Sequence, residues 1–138
     1  MIKFLLLLLV FFSFEASAQI TGKWKTIDDN TGRERSVIEI YEENDQFFGR
    51  IVKLILEEGD DPDPVCDECE DHRKDQKVIG MKIIEDMQKD DENYTGGKIL
   101  DPENGKIYRC KMWVEEGTLK VRGYLYFFFR TQTWYKYE

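Results

Sequence analysis

Apolar and polar residues alternate at every second position along most of this chain, and a period of two leaves few folds open. The alternating runs are rich in Val, Ile, Phe, Tyr and Trp, and no segment beyond residue 18 keeps an apolar period of 3.6 residues. A period of two places successive side chains on opposite faces of a strand. We therefore predict an all-β domain with strands over residues 21–27, 33–41, 46–56, 94–100, 106–115, 118–126 and 128–137.

Turn sequences separate most of these runs. They are rich in Asp, Asn and Gly, which tolerate positive φ or bond their own backbone, at residues 28–32, 42–45, 101–105 and 115–117. This spacing predicts an antiparallel up-and-down barrel of about eight strands, because closure removes the exposed edges. A β-sandwich is the alternative. The connection 57–93 is too long for a hairpin, and its apolar middle, 78–87, predicts a short helix, with an extra strand as the alternative.

The first 18 residues have the pattern of a secretory signal peptide. Lys3 precedes an apolar run over residues 4–12, and Ala-Ser-Ala ends at residue 18. The apolar run is shorter than the roughly 20 residues that a membrane-spanning helix needs. We expect cleavage after Ala18, which leaves a single β-barrel domain of residues 19–138. That domain is expected outside the cytoplasm, in the periplasm or secreted, with no membrane span.

The chain carries a formal net charge of -8 at pH 7. Nucleic acid and anionic lipid both require a basic field, so the overall charge argues against either as a partner. Acidic residues are densest over residues 57–75, a stretch that we expect to lie in solvent. The oligomeric state stays open.

The cysteines support two readings. Cys66 and Cys69 form a C-x-x-C pair, which in an oxidising compartment predicts a disulfide. The acidic residues around the pair oppose thiolate formation and so disfavour redox catalysis. His72 extends the motif to C-x-x-C-x-x-H, and Cys110 would complete the four ligands of a zinc site. The alternative is that His72 is a solvated loop residue and Cys110 a small core residue.

No pattern in the chain indicates an active site. His72 is the only histidine and lies in the acidic stretch, which disfavours a Ser-His-Asp or Cys-His arrangement. The acidic residues are many, but none lies in an apolar run that would raise its pKa. We therefore predict a binding protein that is not an enzyme and uses no cofactor.

Gly96 and Gly97 interrupt a predicted strand. Glycines inside a strand mark a bulge or a barrel corner, or a place where another group approaches the backbone. The structural interpretation is a bulge followed by a hairpin. The functional alternative is that a ligand touches this backbone at the mouth of the barrel.

The start of the predicted domain, Gly22-Lys23-Trp24, resembles the G-x-W opening motif of lipocalins. In that family the Trp closes one end of the barrel and an Arg from a late strand lies across it, a role that Arg122 or Arg130 would take here. A wider resemblance, to the secreted bacterial family named domain of unknown function 2147, covers nearly all of the predicted domain. Its matching blocks are GKW at 22–24, GRI at 49–51, CDEC at 66–69, IGM at 79–81, GGKILDPENGKIY at 96–108, VRGY at 121–124 and RTQTW at 130–134. This resemblance implies a lipocalin-like barrel with no assigned reaction.

Three functions follow as hypotheses. The first is binding of a small hydrophobic or amphipathic ligand inside the barrel, with Arg122 or Arg130 meeting a carboxylate at the polar end of the ligand. The second is a cell-envelope interaction module that uses an exposed aromatic face or the acidic stretch. The third is a metal or thiol site at Cys66, Cys69 and His72. The residues proposed to bind the ligand are Trp24, Gly96, Gly97, Arg122, Tyr124, Arg130 and Trp134.

Overall fold

A computed structural model describes residues 9–12 and 19–138, and residues 22–136 form one closed antiparallel β-barrel with its connections. Each strand pairs with its neighbours in sequence, and the last strand returns to pair with the first. The predicted eight-stranded up-and-down barrel is therefore confirmed. Its strands are β1 (Gly22–Ile27), β2 (Glu34–Glu43), β3 (Gln46–Leu54), β4 (Lys82–Asp90), β5 (Asn93–Leu100), β6 (Ile107–Glu115), β7 (Thr118–Leu125) and β8 (Phe128–Lys136).

The short helix predicted over residues 78–87 is wrong, and the alternative, an extra strand, is what most of this segment forms. The described part of the chain contains no helix, and most of that segment is β4, which pairs with β3 and β5. Ile83 and Ile84 are adjacent and both buried, so a simple alternation is missing. Asp86 has a φ of 60°, and this left-handed residue is where β4 bulges before Met87 returns to the core.

The two ends of the barrel differ. At one end three two-residue turns join β2 to β3, β4 to β5 and β6 to β7, with positive φ at Asn44, Asp45, Asp91 and Glu116. We call this the closed end, because the largest buried side chains fill it. Trp24 is held there by a hydrogen bond of 2.8 Å from its indole N–H to the carbonyl of Ile20. The core there includes Ile20, Trp24, Ile40, Phe47, Met87, Tyr94, Met112, Leu119 and Trp134.

Three longer connections and the two-residue turn between β7 and β8 surround the open end, and the longest connection, residues 55–81, is held in place by the predicted disulfide. Cys66 and Cys69 are joined, which confirms that pairing. Both halves of this connection pair with each other at Val65 and Lys77. Arg73, only 6% exposed, binds Asp71 (2.6 Å) and the carbonyl of Lys82 (3.0 Å), so the disulfide connection is anchored to β4.

The predicted signal peptide, residues 1–18, lies outside the described residues except for 9–12. Within the described ranges, no helix has the length and apolar character needed to cross a bilayer.

Candidate functional site

A cavity of about 870 Å³ opens at the end of the barrel opposite the closed end, and Leu125, Phe128 and Phe129 of the β7–β8 hairpin contribute to its lining. Its position follows from the core, because the large side chains occupy the closed half and leave the upper half unfilled. The inner wall is apolar and comes from most strands, with Ile38, Ile51, Ile83, Ile99, Val121 and Trp134 among its residues. The disulfide connection contributes Pro64, Val65 and Val78 to the rim.

Ion pairs surround the mouth of this cavity. Arg33 binds Asp60 at 2.6 Å and Glu57 at 2.8 Å, and Arg35 binds Asp28 at 3.2 Å and also Glu103. These contacts tie β2 and the β1–β2 connection to the β3–β4 connection and, across the mouth, to the β5–β6 connection. The pKa of Asp28 is lowered, mainly because it accepts the backbone N–H groups of Thr31 and Asn30. These pairs hold the mouth in one arrangement.

The rim carries more acid than base. Seven acidic side chains and three arginines line the cavity, an excess of four formal negative charges. The arginines, Arg33, Arg35 and Arg130, are each already paired with a carboxylate. Asp101 differs from the other acids, because burial raises its pKa while Arg130 and Arg35 oppose the rise. The acids are Asp28, Asp29, Asp60, Asp61, Asp67, Asp101 and Glu103.

The seam between β1 and β8 opens toward this cavity. The two strands pair only at Trp24 with Lys136 and at Lys25 with Tyr135, near the closed end. Side chains bridge the strands farther up, where Asp29 accepts a hydrogen bond from Gln132 at 3.1 Å and lies 3.2 Å from Arg130 Nε. Gln132 in turn accepts the indole N–H of Trp134 at 3.0 Å. Asp29 thus connects the rim to the cavity wall.

The structure separates the predicted ligand-binding residues. Arg130 and Trp134 line the cavity, whereas Arg122 and Tyr124 do not. Arg122 donates to Thr131 at 2.7 Å and lies over the ring of Phe129 at 4.6 Å, on the outer face of β7 and β8. Strand parity explains this, since the buried Val121 on the same strand faces inward and its neighbour must face outward.

The predicted cation over Trp24 is present but comes from a different residue. Trp24 lies in the closed half, outside the cavity lining. Lys136 Nζ lies 5.6 Å from the Trp24 ring, in the place proposed for Arg122 or Arg130, so that assignment is wrong. The β1–β8 register brings Lys136 opposite Trp24.

Gly96 and Gly97 form a bulge rather than a part of the mouth. The β5–β6 register shifts between Tyr94 and Gly97, and Gly96 has a φ of 82°. A Cβ on Gly97 would lie 2.5 Å from Met87 Sδ and 2.8 Å from Met87 N. The group that approaches the glycine backbone is therefore the bulge of β4, and neither glycine lines the cavity.

The proposed zinc site loses two of its ligands to the disulfide, because bonded Cys66 and Cys69 offer no thiolate. Cys110 is buried inside the barrel, where burial raises the pKa of its thiol to about 12. The described residues contain no group of three or more His, Cys, Asp or Glu side chains arranged to hold a metal ion.

The sequence interpretation missed the residues that shape the mouth. Asp29 and Asp101 lie in segments that were read only as turns, and Arg35 lies on a predicted strand among many charged residues. The one signal in the sequence that could have identified these rim residues is that each lies near a strand end at the open end of the barrel. Because the side of a barrel on which a turn falls follows from counting strands, finding these residues required β4.

Comparison with known proteins agrees with this architecture. A solved structure titled "Protein HP1028 from the human pathogen Helicobacter pylori belongs to the lipocalin family" superposes with a TM-score of 0.74 at 17% sequence identity, covering 87% of this chain and 84% of that one. This likeness shows a lipocalin-like fold. No curated protein sequence matches the chain. The profile of DUF2147, described as an uncharacterized protein conserved in bacteria, matches residues 22–136, and the chain therefore belongs to that family.

Proposed function

We propose that this protein is an extracytoplasmic binding protein that holds one small amphipathic molecule, with the apolar part inside the barrel and a neutral or cationic polar end at the mouth. One observation carries the proposal: an apolar cavity ends in a rim with excess negative charge. The general ligand-binding role of the lipocalin-like fold supports it.

The cavity has the size and lining of a small-molecule site. Its volume of about 870 Å³ falls within the roughly 300–1,000 Å³ typical of ligand sites. Eight-stranded barrels have room for one small ligand when large side chains do not fill the interior. Here the fill stops at Trp134, so a hydrocarbon chain or ring system entering the cavity contacts the apolar wall above that indole.

The charge of the rim selects the polar end of the ligand. A carboxylate would meet the excess of acidic groups, and the rim arginines would have to leave Asp28, Asp29 or Asp60 to bind it. An amine or a hydroxyl group meets no such opposition. This choice replaces the earlier hypothesis that Arg122 or Arg130 binds a carboxylate of the ligand.

The proposed location rests on two independent features. The N-terminal segment has the pattern of a cleaved signal peptide, and Cys66 and Cys69 form a disulfide of the kind that persists in oxidising compartments. We propose cleavage after Ala18 and a mature domain of residues 19–138. Intact mass of the protein recovered from the envelope tests this cleavage.

Binding of three molecules with one tail length tests the proposed function. Dodecylamine, dodecanol and dodecanoate are titrated by calorimetry at concentrations below micelle formation. We expect dodecylamine and dodecanol to bind and dodecanoate to bind at least tenfold more weakly. Raising the salt concentration should narrow the difference between the charged molecules, because screening weakens the field of the rim.

A cavity-filling variant shows whether the molecules bind inside the barrel. Val121→Trp places a larger side chain in the cavity wall and should abolish binding of the neutral dodecanol. Val52→Trp, on a half-buried position of β3 that does not line the cavity, is the matched control and should leave binding unchanged. Equal loss in both variants, or no binding by the unmodified protein, would contradict the proposed function.

A further inference from the structure

The β7–β8 hairpin ends in four consecutive aromatic residues that point into solvent. Tyr126 is 83% exposed, Phe127 98%, Phe128 79% and Phe129 62%. We call residues 126–129 the aromatic tip. Single exposed apolar side chains are common, but a contiguous protruding group of rings indicates an interaction site.

The conformation of the β7–β8 turn does not favour the residues that form it. Tyr126 adopts a φ of 55°, a left-handed conformation that disfavours a bulky side chain. The three turns at the closed end place Asn44, Asp45, Asp91 and Glu116-Gly117 in the same region, and most of these residue types suit it. Local strain and exposed rings together mark a site retained for a role other than stability.

The outer face of β6 and β7 next to the tip is cationic, although the whole chain is acidic. Arg109, Lys111, Lys120 and Arg122 share this face, and the β6–β7 register sets Lys111 directly opposite Arg122. Among the described residues, no carboxylate oxygen lies within 4.0 Å of these four cationic groups. We call them the basic face.

Aromatic rings alternate with these cations. Arg122 lies 4.9 Å from the ring of Trp113 and 4.6 Å from that of Phe129, and Arg109 lies 5.7 Å from the ring of Tyr124. The rings extend the aromatic tip along the strands, so tip and basic face form one continuous surface. The dense acid of residues 57–75 belongs to the β3–β4 connection, on the other side of the barrel from β7.

We propose that the aromatic tip and the basic face dock this protein on an anionic lipid bilayer. Phe and Tyr rings at a convex turn enter the headgroup region without a matched pocket, and aromatic rings are favoured at that depth. The cations beside them meet lipid phosphates. The overall charge argues against such a partner, and the acidic rim of the cavity lies at the same end of the barrel as the tip. The outer face of β6 and β7 is nevertheless locally positive, because its four cations have no carboxylate within 4.0 Å among the described residues.

A bilayer fits this surface better than a protein or a soluble polyanion. A polyanion would use the basic face but leave Phe127 and Phe128 in water. A protein partner would have to supply a pocket for a turn whose outermost rings, Tyr126 and Phe127, are almost fully exposed. A lipid surface accepts both parts at once, because its phosphates lie directly above its acyl chains.

Vesicle flotation tests the proposal. The full chain is expressed, the recovered protein is defined by intact mass, and it is mixed with vesicles of phosphatidylcholine alone or with phosphatidylglycerol. We expect flotation with the anionic vesicles, reduced by high salt. Arg109→Gln with Lys111→Gln should weaken partitioning roughly fivefold per charge removed. Phe127→Ser with Phe128→Ser should weaken it at least about tenfold.

Matched controls separate docking from general effects. Lys89→Gln with Lys98→Gln removes two exposed charges on β4 and β5, and Ile79→Ser removes an exposed apolar group of the disulfide connection. Both should float like the unmodified protein. Circular dichroism checks that every variant is folded. Equal flotation of the tip variants and the controls overturns the proposal. It is also overturned if the unmodified protein does not float and instead forms a dimer that the Phe127→Ser, Phe128→Ser variant no longer forms, because the tip would then be a protein interface.

Discussion

Asp101 is the residue in the rim whose charge we expect to depend most on the fold. Burial raises its pKa above the ordinary value of 3.8. The folded state therefore holds this proton more tightly than the unfolded state, and stability falls as pH rises from 3.8 through the folded pKa. Asp101→Asn keeps the acceptor for the Glu103 N–H (2.9 Å) without the charge. The variant should gain free energy of unfolding, relative to the unmodified protein, as pH increases.

Urea unfolding across about pH 3 to 7 measures that difference. The free energy of unfolding of the variant is compared with that of the unmodified protein at each pH. Acids with a lowered pKa, such as Asp71 at about 2, make both proteins more stable as pH rises, and this contribution cancels in the comparison. Asp61→Asn is the control, because it removes an exposed charge of the same rim and keeps the acceptor for the Asp63 N–H. A difference for Asp101→Asn that does not change with pH would show that its burial does not penalise the charge.

Single residues were predictable where strand parity alone decided their side. Alternation over residues 106–115 and 118–126 agrees with the interior positions of Cys110 and Val121, which are both buried. The same parity placed Arg122 outside, so its proposed ligand contact conflicted with information already in the sequence. Lys136 over Trp24 was not predictable, because the β1–β8 register joins residues at opposite ends of the domain.

At the scale of elements, the bulges of β4 and β5 fit together. Gly97→Ala would push a Cβ against Met87 N and Sδ, so we expect a loss of about 3 kcal/mol or more in the free energy of unfolding. Gly96→Ala meets no atom within 4 Å and suffers only from its φ of 82°, which costs about 1–2 kcal/mol. Urea unfolding measures the stability of both variants. Equal losses of unfolding free energy in Gly97→Ala and Gly96→Ala would show that β4 does not pack tightly against Gly97.

This fit also explains why alternation did not locate β4, in the segment for which a short helix, or an extra strand as the alternative, was predicted. Its buried Ile83, Ile84 and Met87 are spaced like one face of a helix, because the left-handed Asp86 shifts the alternation. The other seven strands keep a period of two over most of their length and were located from it. The bulge in β4 is accommodated by Gly97 on the adjacent strand β5. The residues next to the bulge in sequence do not indicate this, so the bulge could not be predicted from β4 alone.

At the scale of the molecule, the closed up-and-down barrel was predictable, but the extent of the seam that closes it was not. Short turns require neighbouring strands to pair, whereas the β1–β8 seam depends on how all eight strands tilt together. The resulting seam has only two residue pairs, both near the closed end. The cavity therefore has a side wall near Thr26 and Gln132 that is held by side chains rather than by the backbone ladder.

Asp29 should control how often this side wall opens. It bonds Gln132 and Arg130 across the seam, so Asp29→Ala should speed amide hydrogen exchange in residues 26–29 and 130–133. Amides of Lys23 and Lys25, beside the paired end, should keep their rates. Glu92→Ala, an exposed charge in a turn at the closed end, should change neither region. Faster exchange throughout the barrel would instead show that Asp29 stabilises the whole fold, whereas a change confined to the upper seam identifies that seam as the movable part of the cavity wall.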